Sequence, residues 1–513
     1  MKKILLSLTA LFPAILIAQT WVDDVAPVVY SKCTSCHNDN GVAPFSLMDY
    51  QAVSDFSSAI AGVVANGYMP PWTADNNYQS YAHSRELSED QKQTILAWIS
   101  NGSPEGNPDN SPPPPIYENT GFIQVEADLE LTMEPYTSQA SLGSDDYVCI
   151  SLPSGLTEDK TIRAFEVIPG NPSIVHHCLV YIDPTGTYPS SFSGTCVGPS
   201  DDEGLIGGYT PGAVPTVFPS NGDDVNMGIT IPAGSNIILA MHYPHGSAGE
   251  IDETSIRLFF YEEDIAVREV STYPVLSNWS FFLPSNQITD IDASWGPVPE
   301  DWSVLSTFPH MHLLGKEIMS YAETPNNETI PLIRINQWDF EWQEFFFFDQ
   351  IQKIPQGSTL YAEGAFNNTS GNSHNPNDPP QPVTPGLNTT DEMFLVYFHY
   401  LPYEDGDEDL DIEELTNITN IEEQGLTEPG SLIVYPNPSD GDFQFELSLS
   451  SNAAVSLFIY DCQGKLVAEV LNKIQFGAGL EKISWSPIGL SSGMYHYSLM
   501  VNGVSSSGKI MVK

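Results

Sequence analysis

Phe308-Pro309-His310-Met311-His312-Leu313-Leu314-Gly315-Lys316 lies within a long region where short apolar runs alternate with Gly, Pro and Asn turns. If the segment is a strand, His310 and His312 share one face, an arrangement that suits a common metal ion. Runs at 148–152, 162–168, 179–182, 237–243 and 256–261 also read as strands, and helical patterns are few. This is β-sandwich or jelly-roll composition, and its length suits two such domains, at 120–265 and 266–403.

The chain has only eleven histidines, yet they cluster. His176 and His177 head the apolar run through Cys178. As neighbours on a strand they would face opposite ways, so sharing one metal requires a twist or bulge there. His242, in Met241-His242-Tyr243-Pro244-His245, ends another apolar run. Imidazole suits copper, zinc, iron or nickel, so the histidines alone do not name the metal. A thioether beside two histidines favours a site able to hold Cu(I), and Met393 in Asp391-Glu392-Met393 is placed to supply it.

A second chemistry sits upstream. Cys33-Thr34-Ser35-Cys36-His37 has the spacing for haem c attachment, with two thiols for the vinyl groups and His37 as axial ligand. A redox dithiol would need a βαβ context, and zinc a second ligand pair nearby; the sequence offers neither. Residues 47–65 read as helical. Ser88-Glu89-Asp90-Gln91 is a capping box opening a helix through Ile95 and Trp98 that Gly102 ends. Residues 19–107 therefore read as a small all-α cytochrome c domain. Met69, held before Pro70, is the expected sixth ligand, with His83 and Met48 as competitors. A Pro-rich spacer covers 108–119.

The order His-His, Met-His-Tyr, His-x-His-x-x-Gly-Lys, Asp-Glu-Met over residues 120–403 resembles the copper type II, ascorbate-dependent monooxygenases. The resemblance implies two sandwich domains facing each other across a water-filled cleft, each holding one copper ion. It assigns His176, His177 and His242 to an electron-transfer copper, and His310, His312 and Met393 to the copper that activates oxygen. It implies hydroxylation of a C–H bond in a small organic substrate by O2, with an external reductant such as ascorbate. The peptide-amidating member grips its substrate carboxylate with an Arg two residues before the His-x-His and with an Asn and a Tyr after its Met. Here those positions are Phe308, Leu395 and Tyr397, so only the tyrosine remains. We therefore expect a more apolar pocket and a substrate other than peptidylglycine. His245, His374 and His399 are expected to serve structural or supporting roles. The attached haem is expected to supply electrons to the coppers. The alternative is an exported haem and copper electron-transfer or copper-binding protein without hydroxylase activity.

The termini speak of export. Lys2 and Lys3 precede an apolar run to Ile17, and residues 1–18 read as a signal peptide. From Tyr435-Pro436-Asn437-Pro438 onward, period-two alternation indicates an Ig-like sandwich at 431–513. That segment resembles the type A sorting domain of type IX secretion, which implies the type IX machinery as partner and a secreted or cell-surface location. Net charge is −49, from 17 Lys+Arg against 66 Asp+Glu. Such a surface repels nucleic acid, and no segment reads as a membrane span. The whole is thus a multidomain, mainly β chain. Cys178–Cys196 is the expected disulfide, with Cys149 left as a thiol and Cys462 unpaired. The acidic run at the start of 404–430 reads as a solvated linker, with a calcium loop as its alternative.

Overall fold

The computed structural model describes residues 19–513 except 40, 42, 116, 118–121, 124, 142–143, 193–195, 197–203, 212, 223, 264, 387, 417–431, 436–438, 440, 442, 450–452, 461–464, 478, 488, 491–492 and 502–503. The signal peptide, most of the Tyr-Pro-Asn-Pro motif, Cys462 and the far half of the acidic linker lie outside the described residues. The chain is mainly β and divides into two compact units, 1–420 and 421–513. No described helix is long and apolar enough to cross a membrane.

The first unit opens with short helices, Ala26–Lys32, Tyr50–Asp55, Ser57–Ala65 and Glu89–Ser100. The last is opened by the capping box, in which Ser88 Oγ accepts from Gln91 N and Gln91 Oε1 accepts from Ser88 N. Trp21, Val25, Val29, Leu47, Ile95 and Trp98 form its small core.

Four sheets follow. The strands Asp146–Pro153, Asn236–Tyr243, His177–Asp183 and Leu205–Tyr209 form one, packed on a sheet built around Lys160–Ile168 and Ser255–Phe260. The strands Ser271–Ser277, Leu395–Pro402, Trp302–His310 and Phe346–Ile354 form a third, packed on Gln287–Trp295, Thr359–Asn368, Gly315–Glu323 and Thr329–Ile335. Strand alternation decides what each face does. In the first sheet, Val148, Ile150, Cys178, Val180, Leu239 and Met241 point into the sandwich core. Cys149, Tyr181 and Ile238 point the other way, into a cluster with Phe308, Leu395 and Tyr397 of the third sheet. The two halves meet face to face there, and the histidines line that seam.

The same alternation corrects the disulfide. Cys178 pairs in register with Met241 and Cys149 with Ala240, one row apart and hence on opposite faces. Cys196 reaches the Cys149 face, and the bond is Cys149–Cys196, with Cys178 a buried thiol in the core.

The acidic run is also corrected, for its near half is docked. Asp407 is 4% exposed. It takes both terminal nitrogens of Arg268 at 2.7 and 2.8 Å, and Ser303 Oγ at 2.5 Å. Ile412 is wholly buried. The second unit is a sandwich of two sheets, of three and four strands, around Phe443, Phe445, Val455, Leu457 and Leu499.

Candidate metal centre

His177 opens its strand and pairs in register with His242. His176 precedes the strand, its N–H donating to the His242 carbonyl at 3.0 Å. Because only one of the two adjacent histidines obeys strand alternation, both rings can turn to the same side. Their Nδ1 atoms lie 3.1 Å apart, and those of His242 lie 3.1 Å from His176 and 3.3 Å from His177. Metal–nitrogen bonds of about 2.0 Å in a tetrahedral arrangement place ligand nitrogens about 3.3 Å apart.

Electrostatics favour the same occupant. Burial, reinforced by the neighbouring His242, pushes His176 down to about 3, and burial holds His177 and His242 below the ordinary value. Three neutral imidazoles whose Nδ1 atoms converge cannot satisfy one another by hydrogen bonds, whereas a cation accepts all three lone pairs. Asp145 Oδ2 accepts from His242 Nε2 at 3.1 Å, which fixes the tautomer with its Nδ1 lone pair at the centre. The Tyr147 ring stacks on His242 at 4.3 Å, and its hydroxyl bonds Thr389 from the other half.

The second group is built differently from the strand expectation. His310 is the last residue of its strand, and His312 stands beyond the strand end. Their ring centroids are 5.0 Å apart and perpendicular. His310 Nδ1 lies 2.6 Å from Gln343 Oε1, and His312 Nδ1 lies 3.1 Å from the Asp391 carbonyl. Each contact occupies Nδ1 and leaves Nε2 for a metal. Burial pushes His310 down to about 4 and His312 to about 3, so both rings are neutral. Glu392, fully buried, accepts from His312 N at 2.9 Å and Leu314 N at 2.6 Å, tying the Met393 turn to the histidine turn. Met393 itself packs against the seam cluster with Phe308 and Tyr397.

One loop, 336–345, gathers these parts, and sequence reading missed it. Its Phe340 ring lies 6.0 Å from His176, 6.3 Å from His177 and His242, and 6.0 Å from His312. An aromatic ring thus packs within about 6 Å of members of both histidine groups. Beside it a cavity of about 100 Å³ is lined by His177 and His310, by Leu179, Phe308, Phe345 and Phe347, and by His83 from the N-terminal module. His83 Nε2 bonds Thr416 Oγ1 at 2.7 Å. His399 bonds Ser306 at 2.8 Å and stacks on Phe345 at 4.2 Å, while His245 is exposed.

Cys33 and Cys36 are free thiols following the first helix. His37 Nδ1 lies 3.0 Å from the Phe45 carbonyl. Among the described residues, the compact cluster of three His, Cys or acidic ligands is His176, His177 and His242. Met69 is half-buried in the loop after Ser57–Ala65.

Residues 298–415 match the family model for the copper type II ascorbate-dependent monooxygenase, C-terminal domain, and residues 433–513 match that for the secretion system C-terminal sorting domain. No curated protein matches the chain. Among solved structures it is similar to the Faecalibacterium prausnitzii beta-glucuronidase, at 12% identity over 44% of this chain and 37% of that one, with a TM-score of 0.13. It is also similar to a Ruminococcus gnavus beta-glucuronidase, at 13% identity over 68% and 45%, with a TM-score of 0.15. A beta-glucosidase from Kluyveromyces marxianus gives 8% identity over 44% of each chain and a TM-score of 0.13. The chain spans less than half the length of these enzymes, and likeness at that level carries no functional argument. The segment bearing His310, His312 and Met393 is thus similar to a copper monooxygenase C-terminal domain, and the sorting domain marks a secreted or cell-surface protein.

Proposed function

We propose that the protein is a copper-dependent monooxygenase inserting one atom of O2 into a C–H bond of a small, largely apolar organic molecule. The overall balance is R–H + O2 + 2e⁻ + 2H⁺ → R–OH + H2O. The observation carrying this reading is two histidine groups that both pack on Phe340, with a cavity reaching both His177 and His310. His176, His177 and His242 would hold one copper, and His310, His312 and Met393 the other. Bound copper would supply one-electron redox chemistry and oxygen activation.

The chain's own residues do the rest. Asp145, Gln343 and the Asp391 carbonyl hold the ring tautomers that present lone pairs to metal. Phe308, Phe345 and Leu179 exclude water and pack an apolar substrate body beside His310. Tyr397, its ring 5.8 Å from Phe308, orients the substrate. The two electrons come from an attached haem c or from a reductant such as ascorbate. The motivation for the haem route is the Cys33-Thr34-Ser35-Cys36-His37 spacing carried on the same chain.

The test is copper and iron per chain in the reconstituted protein, followed by substrate-dependent oxygen uptake. Two coppers and one iron, with uptake driven by small apolar compounds, are expected. One copper or none would sink the reading. Two coppers without any substrate-dependent uptake would favour an electron-transfer or copper-binding protein.

A further inference from the structure

The N-terminal module does more than sit beside the histidine groups, because part of it is built into the second one. Between Met69 and Arg85 the chain leaves its helical core and runs along the C-terminal sandwich. Ala74 bridges Ile335 and Tyr81 bridges Phe348 in antiparallel pairs. Tyr81 Oη donates to the Leu332 carbonyl at 3.0 Å, and Gln79 Nε2 to the Pro331 carbonyl at 2.8 Å. These contacts straddle the two strands that flank loop 336–345.

Both ends of that loop are held by ions of the same segment. At the start, Asp75 Oδ2 takes Arg334 Nε at 2.9 Å and Nη2 at 2.7 Å, and Asn336 Nδ2 at 2.9 Å. At the finish, Arg85 makes a bidentate pair with Glu344, stacks over Trp72 at 5.2 Å, and donates from Nε to the Pro71 carbonyl. Side-chain exposure of Arg85 and Glu344 is 14% and 15%, so water competes little for either partner.

Between the clamped ends lie the groups that orient the histidines. Gln343 gives its Oε1 to His310 Nδ1, and its Nε2 donates to the Phe340 carbonyl at 2.6 Å. Trp338 Nε1 donates to the His312 carbonyl at 3.1 Å. A flexible ten-residue connection would not hold an amide oxygen at hydrogen-bond distance from His310 without anchors, given the entropy of such a segment.

We propose that residues 74–85 are a positioning clamp for the His310/His312 metal site, acting through Asp75–Arg334 and Arg85–Glu344 on loop 336–345. Arg85 and Asp75 touch no metal; they act through Gln343 and Trp338. The N-terminal module is then a structural requirement for that site, whatever its redox role. This rests on metal binding at His310 and His312, and the test separates the two ideas.

In the full chain, Arg85→Met, Glu344→Gln and Asp75→Asn are compared with wild type for Cu(I) affinity by chelator competition and for the Cu(II) EPR spectrum. His310→Ala and His242→Ala proteins identify the signals of the separate sites. The clamp predicts a roughly 10- to 100-fold loss of affinity and an altered spectrum at the His310 site. The His176/His177/His242 site keeps wild-type affinity and serves as the internal folding control. Unchanged affinity and spectra in all three variants overturn the proposal. So does equal loss at both sites in Glu344→Gln, which keeps side-chain shape and would then report general unfolding. Amide hydrogen exchange of 336–345 gives a reading without metal: selective acceleration in the variants supports the clamp, and unchanged exchange refutes it. Wild-type protein that binds no copper at the His310 site would remove the metal reading, leaving the exchange result to decide on the clamp alone.

Discussion

Asp145 Oδ2 stands 3.1 Å from His242 Nε2, across the ring from the Nδ1 atom that meets His176 and His177. The carboxylate also accepts from the His245 backbone at 2.8 Å, so its position is fixed from two sides. A carboxylate behind a ligating imidazole sets its tautomer and raises its basicity. Asp145→Asn keeps the shape and removes the charge. Copper affinity at the His176/His177/His242 site is expected to fall roughly 10-fold, with the His310 site untouched. Chelator competition on the single-site proteins measures this, and an unchanged affinity would mean the carboxylate only tethers His245.

The Cys149–Cys196 bond lies in the seam cluster and has a sequence separation of 47. Cross-linking a loop of that length stabilises by about 4 kcal/mol in the chain-entropy model. Cys149→Ser and Cys196→Ser should each lower the thermal transition of the first unit, while Cys178→Ser should leave the bond intact. Non-reducing peptide mapping should recover Cys149 linked to Cys196, with Cys178 alkylated only after unfolding because burial raises its thiol pKa. A Cys178–Cys196 peptide would contradict the register argument.

Much of this molecule was legible because period-two alternation is local. The runs at 148–152, 162–168 and 237–243 announced their strands, and Ser88 with Gln91 announced a helix start through residues three apart. What failed needed information that no local pattern carries. Which cysteine meets Cys196 depends on cross-strand register, since Cys149 and Cys178 occupy rows that differ by one. The clamp at Asp75 and Arg85 joins residues separated by 259 positions, and its sequence looks like an ordinary polar loop. Phe340 lies in a loop of mixed composition, so nothing in its neighbourhood signals a ring packed on two histidine groups. The acidic run misled because composition predicts solvation, whereas one residue, Asp407, finds Arg268 at a distance of 139 positions.

Asp407 also gives the docked run a pH dependence. Its folded pKa is depressed below the usual carboxylate value of 3.8: burial opposes the shift, and Arg268 and Ser303 outweigh it. A depressed carboxylate contributes stability that is present above the unfolded value and lost as pH falls through the folded one. Docking of 404–416 should therefore hold at neutral pH and loosen below about pH 3.8. Asp407→Asn should loosen it at all pH values, at a cost of about 1–3 kcal/mol for hydrogen bonds to a charged group. Limited proteolysis within 404–416 reports both, and equal protection of wild type and variant at pH 7 would remove Asp407 as the anchor. Because Thr416 holds His83 at the cavity wall, the variant should also raise KM more than it lowers kcat.

Phe308 decides what charge the cavity tolerates. It is 4% exposed, stacks on Phe345 at 4.9 Å and faces His310 at 6.1 Å. The nearby guanidinium, Arg85, is already committed to Glu344. Apart from the copper proposed at His310, a substrate carboxylate entering beside Phe308 would meet apolar rings and one spoken-for acid. Leaving a buried charge unpaired costs roughly 3–5 kcal/mol, or on the order of 10²- to 10⁴-fold in affinity. Glycine-extended peptides should therefore be turned over at least about 100-fold less efficiently than the same compounds with the carboxylate masked as an amide. Comparing kcat/KM for each acid with its amide checks this directly. A preference for the free acid would show that a cation pairs with the carboxylate at this wall, the proposed copper included, and the apolar-substrate reading would have to be given up.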